Sequence, residues 1–140
     1  VLFSCNPSQT KNAEPGDVLE NNHANDALYD EVMKIHDQVM PLMNDIYKLR
    51  EDLKNRFTTN PSMKEPEKIK VENAITKLDS ANENMMIWMR EFKHPKDSLG
   101  GETGRAYLQS EMEKVKRVRK NIHEALRHAN QVLGETLQQN

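Results

Sequence analysis

The sequence predicts an all-α protein, an up-down-up antiparallel three-helix bundle with long helices, preceded by a flexible N-terminal tether. Only 36% of the 140 residues are hydrophobic and 5% are aromatic, whereas 30% are charged, a balance that favours amphipathic helices over a β-sandwich or barrel. Apolar residues recur at alternating spacings of four and three in three long segments, and short stretches with proline or glycine separate these segments. We therefore expect one domain over residues 23–140, with helices at about 25–56, 64–93 and 103–137.

The first helix is predicted from an unbroken apolar seam that contains a proline. Pro41 lacks the N–H that an interior helical residue donates, so it should kink the helix. Because the seam continues in phase on both sides of Pro41, we expect one bent helix and not two helices. The seam consists of Leu28, Val32, Ile35, Val39, Leu42, Ile46, Leu49 and Leu53.

The second and third helices follow from two further seams. The stretch from Thr58 to Pro61 ends the first pattern, and the glycines at 100, 101 and 104 mark the next connection. At 1.5 Å per residue the three helices reach roughly 40 to 50 Å each, and equal lengths with short loops favour an up-down-up bundle. The second seam is Val71, Ile75, Leu78, Asn82, Met85, Met89 and Phe92, and the third is Leu108, Met112, Val115, Val118, Ile122, Leu126, Ala129, Leu133 and Leu137.

The N-terminus carries the sequence Val1-Leu2-Phe3-Ser4-Cys5 followed by a polar stretch with two prolines and a glycine. Leu2 to Cys5 resembles the lipobox of bacterial lipoprotein signal peptides, in which an apolar, a variable and a small residue precede the lipidated cysteine. The resemblance implies that residues 1–4 are a signal-peptide remnant, that the Cys5 thiol is diacylated, and that residues 5–22 form a polar tether. Two or more acyl chains suffice to hold a protein at a membrane.

Two segments of the body, EVMKIHDQVMPLMNDIYKLR and ENMMIWMREF, are similar to those of small helical lipoproteins of Gram-negative bacteria. Automatic pipelines sometimes label this group "viral A-type inclusion protein", and it has no established activity. The resemblance implies a lipid-anchored protein of the cell envelope that faces the periplasm. We expect the membrane, through the N-terminal lipid, and an envelope protein as partners; this compartment argues against nucleic acid, in agreement with a net charge of −2.

Catalytic motifs are missing from the sequence. It has no Gly-rich phosphate loop, paired-cysteine motif, His-Glu-x-x-His helix or Gly-x-Ser-x-Gly elbow. His123 and His128 are five residues apart and so lie on different faces of a helix, which makes them poor joint ligands. We therefore expect a non-enzymatic accessory or binding module.

Methionine is unusually frequent, with eight copies. If the first two helices are antiparallel about a turn near residues 58 to 64, His36 lies level with Met85 and Met33 lies level with Trp88, so most methionines cluster in one half of the predicted bundle. The simplest interpretation is that flexible thioethers fill irregular core space near the kink. A second is a Cu(I) or other soft-metal site, because thioether and imidazole suit Cu(I). A third is a soft surface that binds a lipid or a hydrophobic peptide. The candidate metal ligands are His36, Met40, Met43, Met85 and Met89, with Trp88 adjacent.

The charges also divide between helices. Lys114 to Lys120 is strongly basic, whereas the first helix is acidic. We expect ion pairs between helices that fix their register, each worth roughly 0.2 to 1 kcal/mol. The alternative is attraction of the basic run to anionic headgroups or to an acidic partner.

Overall fold

Four α-helices make up the part of the chain that the structure describes. In this computed structural model the backbone is described for residues 15–94 and 100–137, and the side chains for residues 23–94 and 100–136. The helices are α1 (Pro15–Val39), α2 (Leu42–Thr59), α3 (Glu65–Glu91) and α4 (Gly101–Leu137), and these ranges contain no strand. The predicted all-α class is therefore confirmed. Cys5 and residues 1–14 of the predicted signal remnant and tether lie outside the described residues.

The start of α1 differs from the prediction, whereas α3 and α4 begin and end within about two residues of the predicted bounds. The helix begins at Pro15 and not near Asn25, so residues 15–22 of the predicted tether are helical. Proline is favoured in the first turn of a helix, where its missing N–H costs nothing. Asn25 thus lies inside α1, where its buried side chain donates a 3.0 Å hydrogen bond from Nδ2 to the Gly101 carbonyl at the start of α4.

Pro41 separates two helices, which corrects the prediction of one bent helix. The Met40 N–H still donates to the His36 carbonyl at 3.0 Å, but Pro41 has no N–H for the next bond in the series. The following amides of Met43 and Asn44 reach back only three residues, at 3.2 and 3.3 Å. Pro41 itself keeps helical angles, with φ −60° and ψ −30°. The helical bonding is therefore interrupted over Met40 and Pro41 although the apolar seam remains in phase.

The core follows the predicted seams, with additions from small residues. Five members of the first seam are buried, and in the second seam the half-buried Ile75, Asn82 and Met89 each follow a buried residue. Alanines that the seams left out complete the contacts between helices, because a methyl group lets two backbones approach closely. The buried apolar residues include Val32, Ile35, Val39, Ile46, Leu53, Val71, Ala74, Leu78, Ala81, Met85, Trp88, Leu108, Val115, Ile122, Ala125 and Ala129.

α4 is the central helix of the packing. It contacts α1, α2 and α3, and α2 also packs on α3, whereas the backbone of α1 hardly approaches α3. Two ion pairs join helices: Arg50 Nη1 lies 3.2 Å from Asp79 Oδ1, and Lys70 Nζ lies 3.2 Å from Glu135 Oε2.

The basic run of α4 does not form the predicted pairs with the acidic first helix. Lys114 pairs with Glu111 at 2.7 Å, and Lys116 and Lys120 pair with glutamates three or four residues away on the same helix. Neighbours at these spacings share one helix face, so the local partner is the nearer one. The register of α4 is therefore fixed by apolar packing and not by this run of charges.

Candidate functional site

A row of aromatic rings fills the space between α1 and α3. The Tyr29 ring lies 6.0 Å from that of Phe92 and 4.5 Å from that of His94, and the His36 ring lies 6.1 Å from that of Trp88. Trp88 stacks on Phe92 at 4.9 Å. Since the backbones of these helices stay apart, large rings form the contact that backbone packing provides elsewhere.

The helix ends position this aromatic row. α3 ends at Glu91, and the Phe92 N–H caps it with a 2.9 Å hydrogen bond to the Trp88 carbonyl. The Lys93 N–H donates to the Tyr107 hydroxyl at 2.8 Å, and the Tyr107 ring lies 6.2 Å from that of Phe92. The end of α3 is thus held against the first turns of α4, with Phe92 at the junction of three helices.

Several methionines lie close in sequence to the rings of the aromatic row, and they differ widely in exposure. Met85 is completely buried in the core, whereas Met40 and Met86 are 36% and 39% exposed. Met43 and Met89 are half-buried and pack against the core. We give the name aromatic–methionine groove to the surface formed by these rings and by the methionines next to them in sequence; its residues are Tyr29, His36, Met40, Met86, Trp88, Met89 and Phe92.

His36 is held in one orientation by its neighbour in sequence. Its Nδ1 lies 2.9 Å from Asp37 Oδ1, and its side chain is 21% exposed. A ring that donates from Nδ1 to a carboxylate keeps the lone pair on Nε2, which is the arrangement that histidine ligands use in metal sites.

The predicted metal set is divided between core and surface. Met85 lies in the core, His36, Met43 and Met89 are half-buried, and Met40 is exposed in the turn after α1. Within residues 23–94 and 100–136, no group of three or more His, Cys, Asp or Glu side chains is placed to hold a metal ion. A metal bound here would therefore depend on thioether sulfur.

Trp88 has an unusual environment. It is 5% exposed, and its indole Nε1 has no hydrogen-bond partner among the described residues. A buried donor without a partner costs about 1–3 kcal/mol relative to a paired one. Trp88 also lines a cavity between α3 and α4, which we call the α3–α4 cavity.

Three members of the aromatic row, Tyr29, His94 and Tyr107, were not singled out from the sequence. None of them belongs to an apolar seam, and His94 lies just beyond the predicted end of the second helix. The same antiparallel register that placed His36 level with Met85 sets Tyr29 level with Phe92, so the signal was present in the pairing of heights.

Comparison of the chain with known protein families, with curated protein sequences and with solved structures found no match. No helix among the described residues combines the length and the hydropathy that crossing a bilayer requires.

Proposed function

We propose that this chain is a non-enzymatic binding module of the bacterial cell envelope, anchored through lipid on Cys5 and facing the periplasm. The lipobox-like sequence Leu2-Phe3-Ser4-Cys5 supports the anchor, since the polar stretch behind it offers Cys5 no apolar packing. Two acyl chains on an N-terminal cysteine give stable membrane attachment without a spanning helix.

The anchor is tested in bacterial cells that express the protein. We expect mass spectrometry of the membrane fraction to find acyl groups on an N-terminal Cys5, and Cys5→Ser to leave the membrane fraction. Recovery of a free Cys5 thiol, still preceded by Ser4, in membrane-bound protein would rule out this attachment.

The binding surface that we propose is the aromatic–methionine groove, and its ligand is a lipid chain or a hydrophobic peptide of an envelope partner. The observation that carries this proposal is that α1 and α3 meet through aromatic rings, and that Met40 and Met86, close to these rings in sequence, are more than a third exposed. Flexible methionine side chains adapt to apolar ligands of different shapes, and aromatic walls provide large contact areas.

Nile red, a neutral apolar dye, is a suitable probe of this groove. We expect saturable binding that Met86→Glu weakens by about tenfold, because a charge must then be desolvated against the ligand. Ile69→Glu is the matched control: Ile69 is also on α3 and is 50% exposed, but it lies at the opposite end of the helix. Equal loss of binding in both variants would refute a localised groove.

A second candidate function is Cu(I) binding by His36 with Met40, Met43 and Met89. The 2.9 Å contact of His36 Nδ1 with Asp37 favours it, because it leaves Nε2 as the available ligand atom. Titration of Cu(I) into the reduced protein should quench the fluorescence of Trp88, the single tryptophan. If His36→Ala and the wild type respond identically, or if neither responds at micromolar metal, this candidate fails.

We also propose that α1 and α2 together form the first arm of an up-down-up three-helix bundle. Lys70 near the start of α3 pairs with Glu135 near the end of α4, and Lys93 after α3 bonds Tyr107 near the start of α4, which supports antiparallel packing of these two helices. Cysteines replacing Lys70 and Glu135 in a Cys5→Ser background should be joined by a short bismaleimide crosslinker, which spans the length of the two side chains that now meet there. Cysteines at 70 and 105, at opposite ends of the bundle, should not.

A further inference from the structure

Besides its buried seam, α1 carries a second stripe of residues, all of them exposed or half-buried. They recur at alternating spacings of four and three, which places them on one face of the helix. Each directly follows a buried or half-buried residue, so the stripe runs along the border between the packed face of α1 and solvent. Its last residue comes directly after α1 but keeps the helical hydrogen bond to the carbonyl four residues earlier. We call this the α1 stripe; its residues are Asp26, Asp30, Met33, Asp37 and Met40.

The α1 stripe lies at the edge of α1 that faces α3. Tyr29 and His36 directly precede two of its members, and the rings of both contact aromatic rings of α3 or of the residue that caps it. A step of one residue turns a helix by about 100°, so the stripe lies just outside these ring contacts. It therefore borders the aromatic–methionine groove on the solvent side.

Met86 lies at the matching edge of α3 and at the height of the end of α1. Asp79 is seven residues before Met86, hence on the same helix face, and pairs with Arg50 of α2 at 3.2 Å. Two residues after Met86, Trp88 contacts His36. Met86 is therefore placed between these two contacts, level with the last residue of the α1 stripe.

The α1 side of this edge is negatively charged. The described side chains of α1 include four carboxylates, Asp26, Asp30, Glu31 and Asp37, and one cation, Lys34. The first three carboxylates form no ion pair with any described residue. The fourth accepts a hydrogen bond from its histidine neighbour, and a neutral imidazole leaves the charge of the carboxylate in place.

The α3 side does not balance this charge. Arg90 is held by Glu83 at 3.2 Å, and Asp79 is held by Arg50 of α2. Lys93, just after α3, is the further cation on this side that has no ion pair with a described residue. Four carboxylates therefore stand against two unpaired lysines, and the edge keeps an excess of negative charge.

Exposed methionines that alternate with aspartates suit a partner that is both apolar and basic. An amphipathic helix presents such a surface, with apolar anchors three, four and seven residues apart. The α1 stripe extends over residues 26–40, about 21 Å at 1.5 Å per residue, so it matches a helix of about four turns. The same carboxylates repel anionic lipid headgroups, which favours a peptide over a lipid.

We propose, resting on the function proposed above, that the ligand of the aromatic–methionine groove is a basic amphipathic helix of an envelope partner. Its apolar residues lie on Met33, Met40 and Met86. Its lysines or arginines lie beside the three aspartates of the α1 stripe.

Two synthetic peptides of about 15 residues, the length of the α1 stripe, are the probes. Both have leucine at the same heptad positions, and the remaining positions are all lysine in one peptide and all glutamate in the other. The protein is the full chain with Cys5→Ser, and anisotropy of a labelled peptide measures binding. We expect the lysine peptide to bind saturably and to displace Nile red, and the glutamate peptide to bind at least about tenfold more weakly. Added salt should weaken binding of the lysine peptide, because it screens exposed charges.

The decisive variant combines Asp26→Asn with Asp30→Asn. It should weaken binding of the lysine peptide by about fivefold, as expected for the loss of two exposed ion pairs. The matched control combines Asp45→Asn with Asp52→Asn: it changes the net charge equally, but both residues line a cavity between α2 and α4. Both double variants should bind Nile red as the wild type does, because the dye is neutral.

Three results would overturn the proposal and leave the proposed function standing, provided that Nile red still binds. Equal affinity for the two peptides excludes recognition of charge. Equal weakening by the two double variants would mean attraction to the net charge of the protein. A lysine peptide that binds without displacing Nile red lies elsewhere on the surface. Sedimentation of the Cys5→Ser protein with phosphatidylcholine vesicles, without binding of the lysine peptide, would assign the groove to lipid instead. Loss of Nile red binding itself refutes the groove.

Discussion

Met85 and Met86 are adjacent residues of one type on one helix, and they offer a direct test of what the methionine-rich half does. The Met85 side chain is completely buried, whereas that of Met86 is 39% exposed. If methionine here fills the core, truncation to alanine should be costly at Met85 and nearly neutral at Met86. The pair controls for helix propensity, since both variants exchange the same two residue types within α3.

The magnitudes follow from burial. Complete burial of a methionine side chain is worth about 1.5–3 kcal/mol in transfer free energy, and a residual cavity adds to the loss on truncation. We therefore expect Met85→Ala to lower the free energy of unfolding by about 2–5 kcal/mol. Met86→Ala should stay within about 0.5 kcal/mol of the wild type, as surface substitutions do.

Urea unfolding followed by circular dichroism measures both variants. A lower midpoint with an unchanged slope for Met85→Ala is the expected result, because the surface exposed on unfolding hardly changes. Equal losses in the two variants would contradict the burial assigned to these side chains. A Met85→Ala protein as stable as the wild type would refute the packing role of Met85.

Three further predictions concern single residues. Burial, followed by the charge of Lys77, lowers the pKa of His128 below 6.5 in the folded protein. The contribution of neutral His128 to stability is therefore complete above pH 6.5 and is lost as the pH falls through the folded pKa. In urea titrations at several pH values, His128→Gln should flatten this pH dependence and His123→Gln should not. Asn25→Ala removes the hydrogen bond to the Gly101 carbonyl and should cost about 0.5–2 kcal/mol by thermal unfolding. Pro41→Ala supplies the missing N–H and should raise the helical signal in circular dichroism; no change would mean that the turn has another cause.

The positions of most helices could be predicted because the apolar seams are long and regular. Val32, Ile35, Val39, Ile46 and Leu53 are buried as their spacing requires. The start of α1 at Pro15 could not be predicted from an apolar seam, since residues 15–22 are mostly polar and contain none. The break at Pro41 was also missed, because an apolar pattern that stays in phase reports which face is buried and not whether each hydrogen bond forms.

The second seam shows why a heptad pattern describes a core only approximately. An α-helix has 3.6 residues per turn and not 3.5, so the buried face drifts along a straight helix. Near its end α3 buries Trp88, whereas the seam member Met89 is only half-buried. Ala74 and Ala81 are buried for a different reason, because small side chains lie where helices approach most closely. Such contacts depend on the three-dimensional packing and leave little trace in a single sequence.

The candidate site was predicted in composition but not in geometry. Spacing brought His36, Met85 and Trp88 to one height of the bundle, yet it treated all three as members of one set. In the structure Met85 faces the core, His36 bonds to Asp37, and Trp88 lies between the aromatic–methionine groove and the α3–α4 cavity. The residues of the predicted site therefore differ in their exposure to solvent, and that exposure depends on the distance between α1 and α3.

The separation between α1 and α3 links the interruption at Pro41 to the ring contacts between these two helices. α2 packs on both α3 and α4, whereas α1, on the other side of Pro41, packs on α4 and reaches α3 mainly through rings. If α1 and α2 were one unbroken helix, the close packing of α2 on α3 would continue along α1. Trp88 and Phe92 would then compete with the α1 backbone for space. The interruption at Met40 and Pro41 removes that competition. Large, adaptable side chains therefore fill the space between α1 and α3, and these are the side chains to which we assign an apolar ligand in the proposed function.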